Sequence, residues 1–417
     1  MSVTSAVASS PSAEAEILVG DERVARIAAR AASSDEEFRS EFRSFLMANH
    51  PGKAPKDRAA AIAWQKAFNA LLVDAGWAAP SWPVAYGGMD LAFNKQVVYT
   101  EEFARANVPS ALGTGVGIVG PTIIQYGSDD QKQRWLSCML RNDEVWAQGY
   151  SEPEAGSDLP SLRTTAVLDG AEYIVNGQKI WSSGADRADK IFTLVRTGTQ
   201  EDRHNGITYL IIDAHSPGVT IRSINDMSGD AHFSEIFFDN VRVSVSERIG
   251  EENKGWGITR TSLGHERAAS AYQQATRYRR ILNELIEMAQ EQGRNHEPVL
   301  RQDLARLVIW QRILEYSGMR TINSIVEHGE PGPQSSVSRL STSLFEQWIH
   351  VVAVDLLGPY GQLDRRDPNA VQRGRWTWGF LRTRASTIGA GTAEIQRNTV
   401  AERVLGLPHE PDAFAKR

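Results

Sequence analysis

Three stretches of this sequence bring together residue types that can do chemistry. Gly149–Ser161 (GYSEPEAGSDLPS) is a run of small residues with hydroxyls at Ser151 and Ser157. Small side chains let a flat ligand approach the backbone, while hydroxyls and exposed N–H groups can hydrogen-bond a heteroaromatic edge or a phosphate. By composition alone, a helix cap and a loop explain the same run equally well. Ile180-Trp181-Ser182-Ser183 sets an aromatic beside a hydroxyl two residues later. A tryptophan in such a place is more often core than a cofactor platform. In Leu263–Arg267 (LGHER) the carboxylate of Glu266 adjoins the guanidinium of Arg267. Isolated Glu-Arg pairs on helices are usually solvated surface.

Other signals fail on inspection. Gly115–Gly120 (GVGIVG) fits G-x-G-x-x-G, but a dinucleotide fingerprint needs a strand before it and a helix after it within a βαβ unit. Here a helical pattern precedes the motif and Pro121 breaks the segment after it. The nine histidines show no ligand spacing, so no protein metal site is expected, and neither a nucleophile elbow nor a P-loop is present. The single cysteine, Cys138, excludes an intrachain disulfide and an iron–sulfur cluster. A net charge of −6 without a Lys/Arg run argues against nucleic acid or an anionic membrane as partner.

The elements that must position these groups can be read from the period of the pattern. The 417 residues suggest two to four domains at roughly 100–200 residues each. With 41% hydrophobic and 23% charged residues, the bulk of the chain can bury enough apolar surface to fold. Residues 1–20, rich in Ala and Ser, read as a disordered tail without the features of a secretory signal. No apolar run approaches the ~18 residues of a membrane span, and a cytoplasmic protein is expected. Residues 21–146 are mostly helical by apolar spacing, residues 147–254 carry a β pattern, and residues 255–417 return to helix. Within the β region, Asn176-Gly177 between Tyr173–Val175 and Gln178–Trp181 predicts a two-residue hairpin turn. Within the last region, Tyr278, Leu282, Leu285 and Ala289 fall on one helix face, and Leu300–Ile325, Ser338–Leu357 and Thr392–Leu405 supply three more helices. Four helices joined by short loops make a bundle. The fold class is therefore α+β.

Together with Arg384–Pro408 (RASTIGAGTAEIQRNTVAERVLGLP), these segments resemble the acyl-CoA dehydrogenase family. Trp82–Gly88 (WPVAYGG), Gly127–Lys132 (GSDDQK), Phe238–Val243 (FDNVRV) and Gly250–Gly257 (GEENKGWG) look like family landmarks in family order. The resemblance implies an N-terminal helical domain, a central β-barrel-like domain and a C-terminal four-helix bundle. It also implies FAD as cofactor, an acyl-CoA thioester as substrate, a trans-2-enoyl-CoA product and an electron-transfer flavoprotein as electron acceptor. Self-association or a paralogous subunit is implied as well, because family FAD sites draw on two chains.

The commonest family pattern places the base, a Glu, directly before Gly-Thr in the C-terminal signature. Here that position is Ala390, in Gly389-Ala390-Gly391-Thr392. A branch that includes isovaleryl-CoA, long-chain and bacterial steroid side-chain dehydrogenases carries its Glu on the first bundle helix, directly before an Arg. By that resemblance Glu266 is the general base and Arg267 a CoA contact. His265 is the weaker candidate, since its side chain would leave a helix about 100° away from that of Glu266. The Ala390 backbone N–H is expected to hold the thioester oxygen, a role that survives loss of the side chain. Ser151 and Ser183 are expected to hydrogen-bond the flavin, with Trp181 packed against it and Ser157 touching CoA. Thr392 and Glu394 are expected near FAD, and Gly358 against the FAD of a neighbouring subunit. Two departures stand out: the usual pyrophosphate Arg has no clear match near Gln292–Arg294, and Asp355 replaces the usual Gln before the neighbour-subunit glycine motif. The small residues of Gly115–Gln125 would line an acyl cavity and admit a bulky group. Two other readings remain open: a flavin oxidase or monooxygenase of the same fold, and a non-catalytic subunit.

Overall fold

The computed structural model describes residues 20–109, 114–328, 332–333 and 335–409, with the side chains of 263–273, 275, 325 and 326 outside the description. Apart from Gly20, the expected tail lies outside the described residues. The chain divides into two compact units, the first ending at Trp146 and the second holding Gln125–Gly127 and everything from Ala147 onward.

The first unit contains α1 (Asp21–Ala32), α2 (Asp35–Ala48), α3 (Arg58–Asp74), α4 (Phe93–Ala106), the start of α5 (Gly120–Tyr126), whose Gln125 and Tyr126 belong to the second unit, and α6 (Asp129–Arg141). Helix α2 starts at a capping box, in which Ser34 and Glu37 each satisfy a backbone N–H of the other. Its Phe38, Phe42 and Leu46 recur every four residues and are buried. The Phe42 ring stacks on Tyr99 at 4.4 Å and tilts against Trp77 at 4.6 Å. The Arg30 guanidinium lies over the Trp77 ring, 3.7 Å from its centroid, and donates to the Ala75 carbonyl.

The glycine motif at 115–120 has a packing explanation. It forms a π-helical turn leading into α5, with Pro121 accommodated in the first helical turn rather than ending the pattern. A Cβ on Gly120 would lie 2.1 Å from the buried Trp82 indole, and one on Gly115 would lie 2.7 Å from Met139. The space above these two glycines is thus filled by the protein's own side chains. Only Gly117 faces open space, which narrows the room expected here for an acyl group.

The second unit opens with a mixed sheet. Its strands are β1 (Trp146–Gly149), β2 (Thr165–Asp169), β3 (Glu172–Ser183), β4 (Lys190–Arg196), β5 (Ile207–Asp213), β6 (Val219–Asn225), β7 (Ala231–Ser244) and β8 (Arg248–Ile249). The order is β6-β7-β3-β2-β4-β5-β8, with β1 pairing β4. The expected turn at Asn176-Gly177 does not form. Strand β3 runs straight through it, and the real two-residue turn is Gly170-Ala171, where Asp169 faces Glu172. Asn176-Gly177 is instead a bulge in the pairing with β7. A Cβ at Gly177 would lie 2.5 Å from the Thr164 hydroxyl, so close approach of a neighbouring segment is what needs glycine there.

The helical part follows with α7 (Gly255–Glu291), α8 (Pro298–His328) and α9 (Ser335–Leu357). Tyr278, Leu282, Leu285 and Ala289 are buried as their spacing predicts, against Leu307, Phe345 and Ile349. The fourth position of the bundle is not one helix. It is filled by α10 (Arg375–Arg382) and α11 (Ala393–Thr399), which both pack on α9. Left-handed backbone at Ala390 (φ 53°) and Gly391 (φ 85°) separates them. The Thr392 side chain then caps α11 by accepting from the Ile395 N–H.

Candidate active site

Ser151, Trp181 and Ser183 come together on adjoining segments of the sheet unit. The Ser151 carbonyl, just past β1, accepts from the Ile180 N–H at 2.9 Å. That bond sets Ser151 beside the end of β3, where the β3–β7 pairing is irregular between Lys179 and Ser182. Trp181 sits inside this irregularity with a left-handed φ of 63°. A bulge re-aims the side chain it carries, and here it leaves Trp181 56% exposed when most of this chain's tryptophans are buried or half-buried. Its ring meets Phe233 edge-on at 5.9 Å. Ser183 is exposed two residues on. Between them the buried Ser182 hydroxyl faces that of Ser234 across the ladder, and neither has a hydrogen-bond partner among the described residues.

An exposed aromatic ring, with the hydroxyl-bearing Ser151 and Ser183 on the adjoining segments, suits a flat heteroaromatic ring with a polar edge. Neither hydroxyl makes an intramolecular hydrogen bond among the described residues. The donor set fits a flavin.

Ser157 is exposed in the loop between β1 and β2. Buried polar groups that sequence reasoning missed hold this loop: the Glu152 carboxylate accepts from the Arg163 and Thr164 N–H groups at 2.6 and 2.9 Å, and pairs with Lys179 at 2.7 Å. Burial pulls the Lys179 ammonium down to about 8, against the raising effect of Glu152. Burial alone would push the Glu152 carboxyl up, but Lys179, Thr164 and the Arg163 N–H outweigh it and hold the carboxyl below its ordinary value.

Glu266 and Arg267 lie on α7, with side chains outside the described residues. Ala390 is exposed, and its N–H makes no backbone hydrogen bond among the described residues. The Thr392 hydroxyl is occupied as a helix cap, while Glu394 pairs with Arg397 at 3.1 Å. Gly358 follows α9 with a φ of 56° and open space where a Cβ would project. No hydrogen bond or ring contact ties Thr392, Glu394 or Gly358 to the Trp181 cluster among the described residues. A cavity of about 480 Å³ opens beside the first turn of α7, lined by Tyr126, Lys254, Trp256 and His204, whose ring lies 4.7 Å from that of Trp256. Nothing in the local sequence marked it, because its walls come from three separate segments.

Residues 33–143, 147–241 and 253–405 match, in turn, the N-terminal, middle and C-terminal domains of acyl-CoA dehydrogenase. The chain belongs to the acyl-CoA dehydrogenase family. It is accordingly an oxidoreductase acting on CH–CH groups. It is similar to acyl-CoA dehydrogenase IpdE1 of Mycobacterium tuberculosis, with 36% identity over 90% of this chain and 98% of that protein. Among solved structures it resembles the ChsE4-ChsE5 complex of Mycobacterium tuberculosis (TM-score 0.79, 31% identity, covering 91% of this chain and 100% of that one). It also resembles the Tcur3481-Tcur3483 steroid ACAD (TM-score 0.79, 28% identity, covering 90% and 98%). The family's helical, β and helical domains are the elements described above. Among the described residues no helix is long and apolar enough to cross a membrane.

Proposed function

We propose that the enzyme is an FAD-dependent acyl-CoA dehydrogenase that forms a trans-2-enoyl-CoA and passes the electrons to an electron-transfer flavoprotein. The observation that carries this reading is the exposed Trp181 ring held in a bulge, with Ser151 hydrogen-bonded to its neighbour Ile180 and Ser183 two residues on. FAD held at Ser151, Trp181 and Ser183 would supply the acceptor for the β-hydrogen as a hydride. The Glu266 carboxylate removes the α-proton and becomes the carboxylic acid, and the C–H electron pair forms the new double bond. An α-proton of a thioester is too weakly acidic for a carboxylate in water, so negative charge developing on the thioester oxygen must be stabilised. The Ala390 N–H, which has no backbone acceptor among the described residues, is the donor for that oxygen. Ser157 and Arg267 hold CoA, and the cavity beside α7 suits its nucleotide end, with an aromatic pair for the base and Lys254 for phosphate.

Anaerobic bleaching of the yellow protein by a panel of thioesters tests the reading. Linear, branched and polycyclic acyl-CoAs belong in the panel, the last because one structural relative is described as a steroid enzyme. An acyl-CoA should bleach the flavin, the matching acyl-pantetheine should do so only at higher concentration, and the free acid not at all. Remote binding energy from the nucleotide makes that difference. Reoxidation should be fast with electron-transfer flavoprotein and slow with oxygen. Equal bleaching by acid and thioester would overturn the substrate class.

Association with a second chain, a copy or a paralogue, is part of the same proposal. Ile309, Ile313 and Tyr316 of α8 are exposed at i, i+4 and i+7, an apolar stripe on a bundle helix. Thr392, Glu394 and Gly358 would serve FAD across such an interface. Light scattering should give a dimer or tetramer, and a monomer with full FAD occupancy would contradict it.

A further inference from the structure

We infer that the buried Lys179–Glu152 pair, together with Arg196, is a positioning hub that sets the flavin-facing and CoA-facing residues as one unit. The inference rests on the flavin and CoA roles proposed above for Ser151, Trp181, Ser183 and Ser157. The Lys179 side chain is 0% exposed and that of Glu152 is 7% exposed. From β3, the Lys179 ammonium donates to the Tyr150 carbonyl at 3.1 Å and to Glu152 Oε1 at 2.7 Å. It therefore grips the residues on both sides of Ser151. The next residue, Ile180, donates to Ser151 itself, and Trp181 follows directly.

The other end of the hub closes the loop that carries Ser157. Glu152 accepts from the amides of Arg163 and Thr164, drawing both ends of residues 152–164 together. Glu152 and Ala155 exchange backbone hydrogen bonds at 3.1 Å inside it. Arg196, buried on β4, donates to the Pro160 carbonyl at 2.5 Å and to the Leu162 carbonyl at 3.4 Å. Its own N–H donates to the Thr164 carbonyl at 2.7 Å.

Stability alone does not call for charge here, since a buried ion pair replaced by packed apolar groups is often neutral or better. What an apolar pair cannot do is satisfy the carbonyl of Tyr150 and the amides of Arg163 and Thr164 in irregular backbone. The three charged side chains fix that backbone, and with it the spacing between the two subsites.

The variants Lys179→Met with Glu152→Gln, combined, remove both charges of the pair together, and Arg196 keeps Asp202 as its nearby carboxylate. The double variant should fold, with FAD affinity and affinity for a non-reactive thioether analogue of acyl-CoA each reduced at least about tenfold. At saturating FAD its visible flavin spectrum should still differ from that of wild type, a signature that lost stability alone would not produce. A folded double variant with both affinities and the spectrum unchanged would overturn the hub.

A second measurement needs no variant. Lys179 faces Glu152 and Arg196, and its proton leaves near pH 8 instead of its ordinary 10.5. Between those values the unfolded chain holds more protons than the folded one, so this lysine makes stability rise with pH. Flavin and thioether affinities should instead fall together through pH 8. Affinities flat from pH 7 to 9.5 would sink the hub alone, whereas a wild type that binds no FAD would sink the functional reading and the hub with it.

Discussion

Glu266→Gln is expected to leave FAD and acyl-CoA binding intact and to lower kcat by about 10²–10⁴-fold, the usual contribution of a general base. The amide keeps the size of the side chain and removes the proton acceptor. The loss should fall in kcat because the carboxylate acts on a proton in flight and adds little to ground-state binding. Two features single out this residue. The family signature at 389–392 reads Gly-Ala-Gly-Thr, so its usual carboxylate position has no acceptor, while α7 retains Glu266 directly before Arg267. Rapid-mixing measurement of flavin bleaching under anaerobic conditions separates the proton-transfer step from reoxidation. A Glu266→Gln enzyme that bleaches at nearly the wild-type rate would pass the role to His265 or to a residue of a second subunit.

The helix–sheet–helix order could be read in the sequence because long periodic segments keep their period wherever they pack. The Tyr278–Ala289 face shows this, since spacing alone predicts the four buried positions. Local turn chemistry proved weaker. Asn176-Gly177 has a strong hairpin composition, yet β3 is paired with both β2 and β7 and two ladders outweigh one dipeptide. The motif at 115–120 misleads for a related reason, as its glycines answer to Trp82 and Met139 from elsewhere in the same unit. At the candidate site, the family resemblance is what points to Ser151, Trp181 and Ser183. The exposure of Trp181 depends on a bulge, which needs the partner strand to define it. Lys179 and Glu152 lie 27 residues apart, and nothing local tells a buried lysine from a solvated one until the fold joins them.

Moving the carboxylate should restore part of what Glu266→Gln removes. The double variant Glu266→Gln with Ala390→Glu is expected to bleach at least about tenfold faster than the single variant, a fraction of a general base's full contribution. The backbone at 390 favours the exchange. Ala390 already occupies the left-handed region at φ 53°, where an L-residue costs about 1–2 kcal/mol, so a glutamate incurs little strain that alanine does not already carry. Its neighbours are Gly389 and Gly391, and the site is exposed, so the longer side chain meets no packed core. The Ala390 N–H is backbone and survives the substitution, so the oxygen donor and the new base would coexist in one residue. Ala390→Gly serves as the control: it keeps the N–H, relieves the left-handed strain and should leave turnover near wild type. A double variant that holds FAD yet bleaches no faster than Glu266→Gln would mean that a base reaches the α-carbon from α7 alone. The alanine at 390 would then mark a site rebuilt around that helix, beyond the loss of one carboxylate.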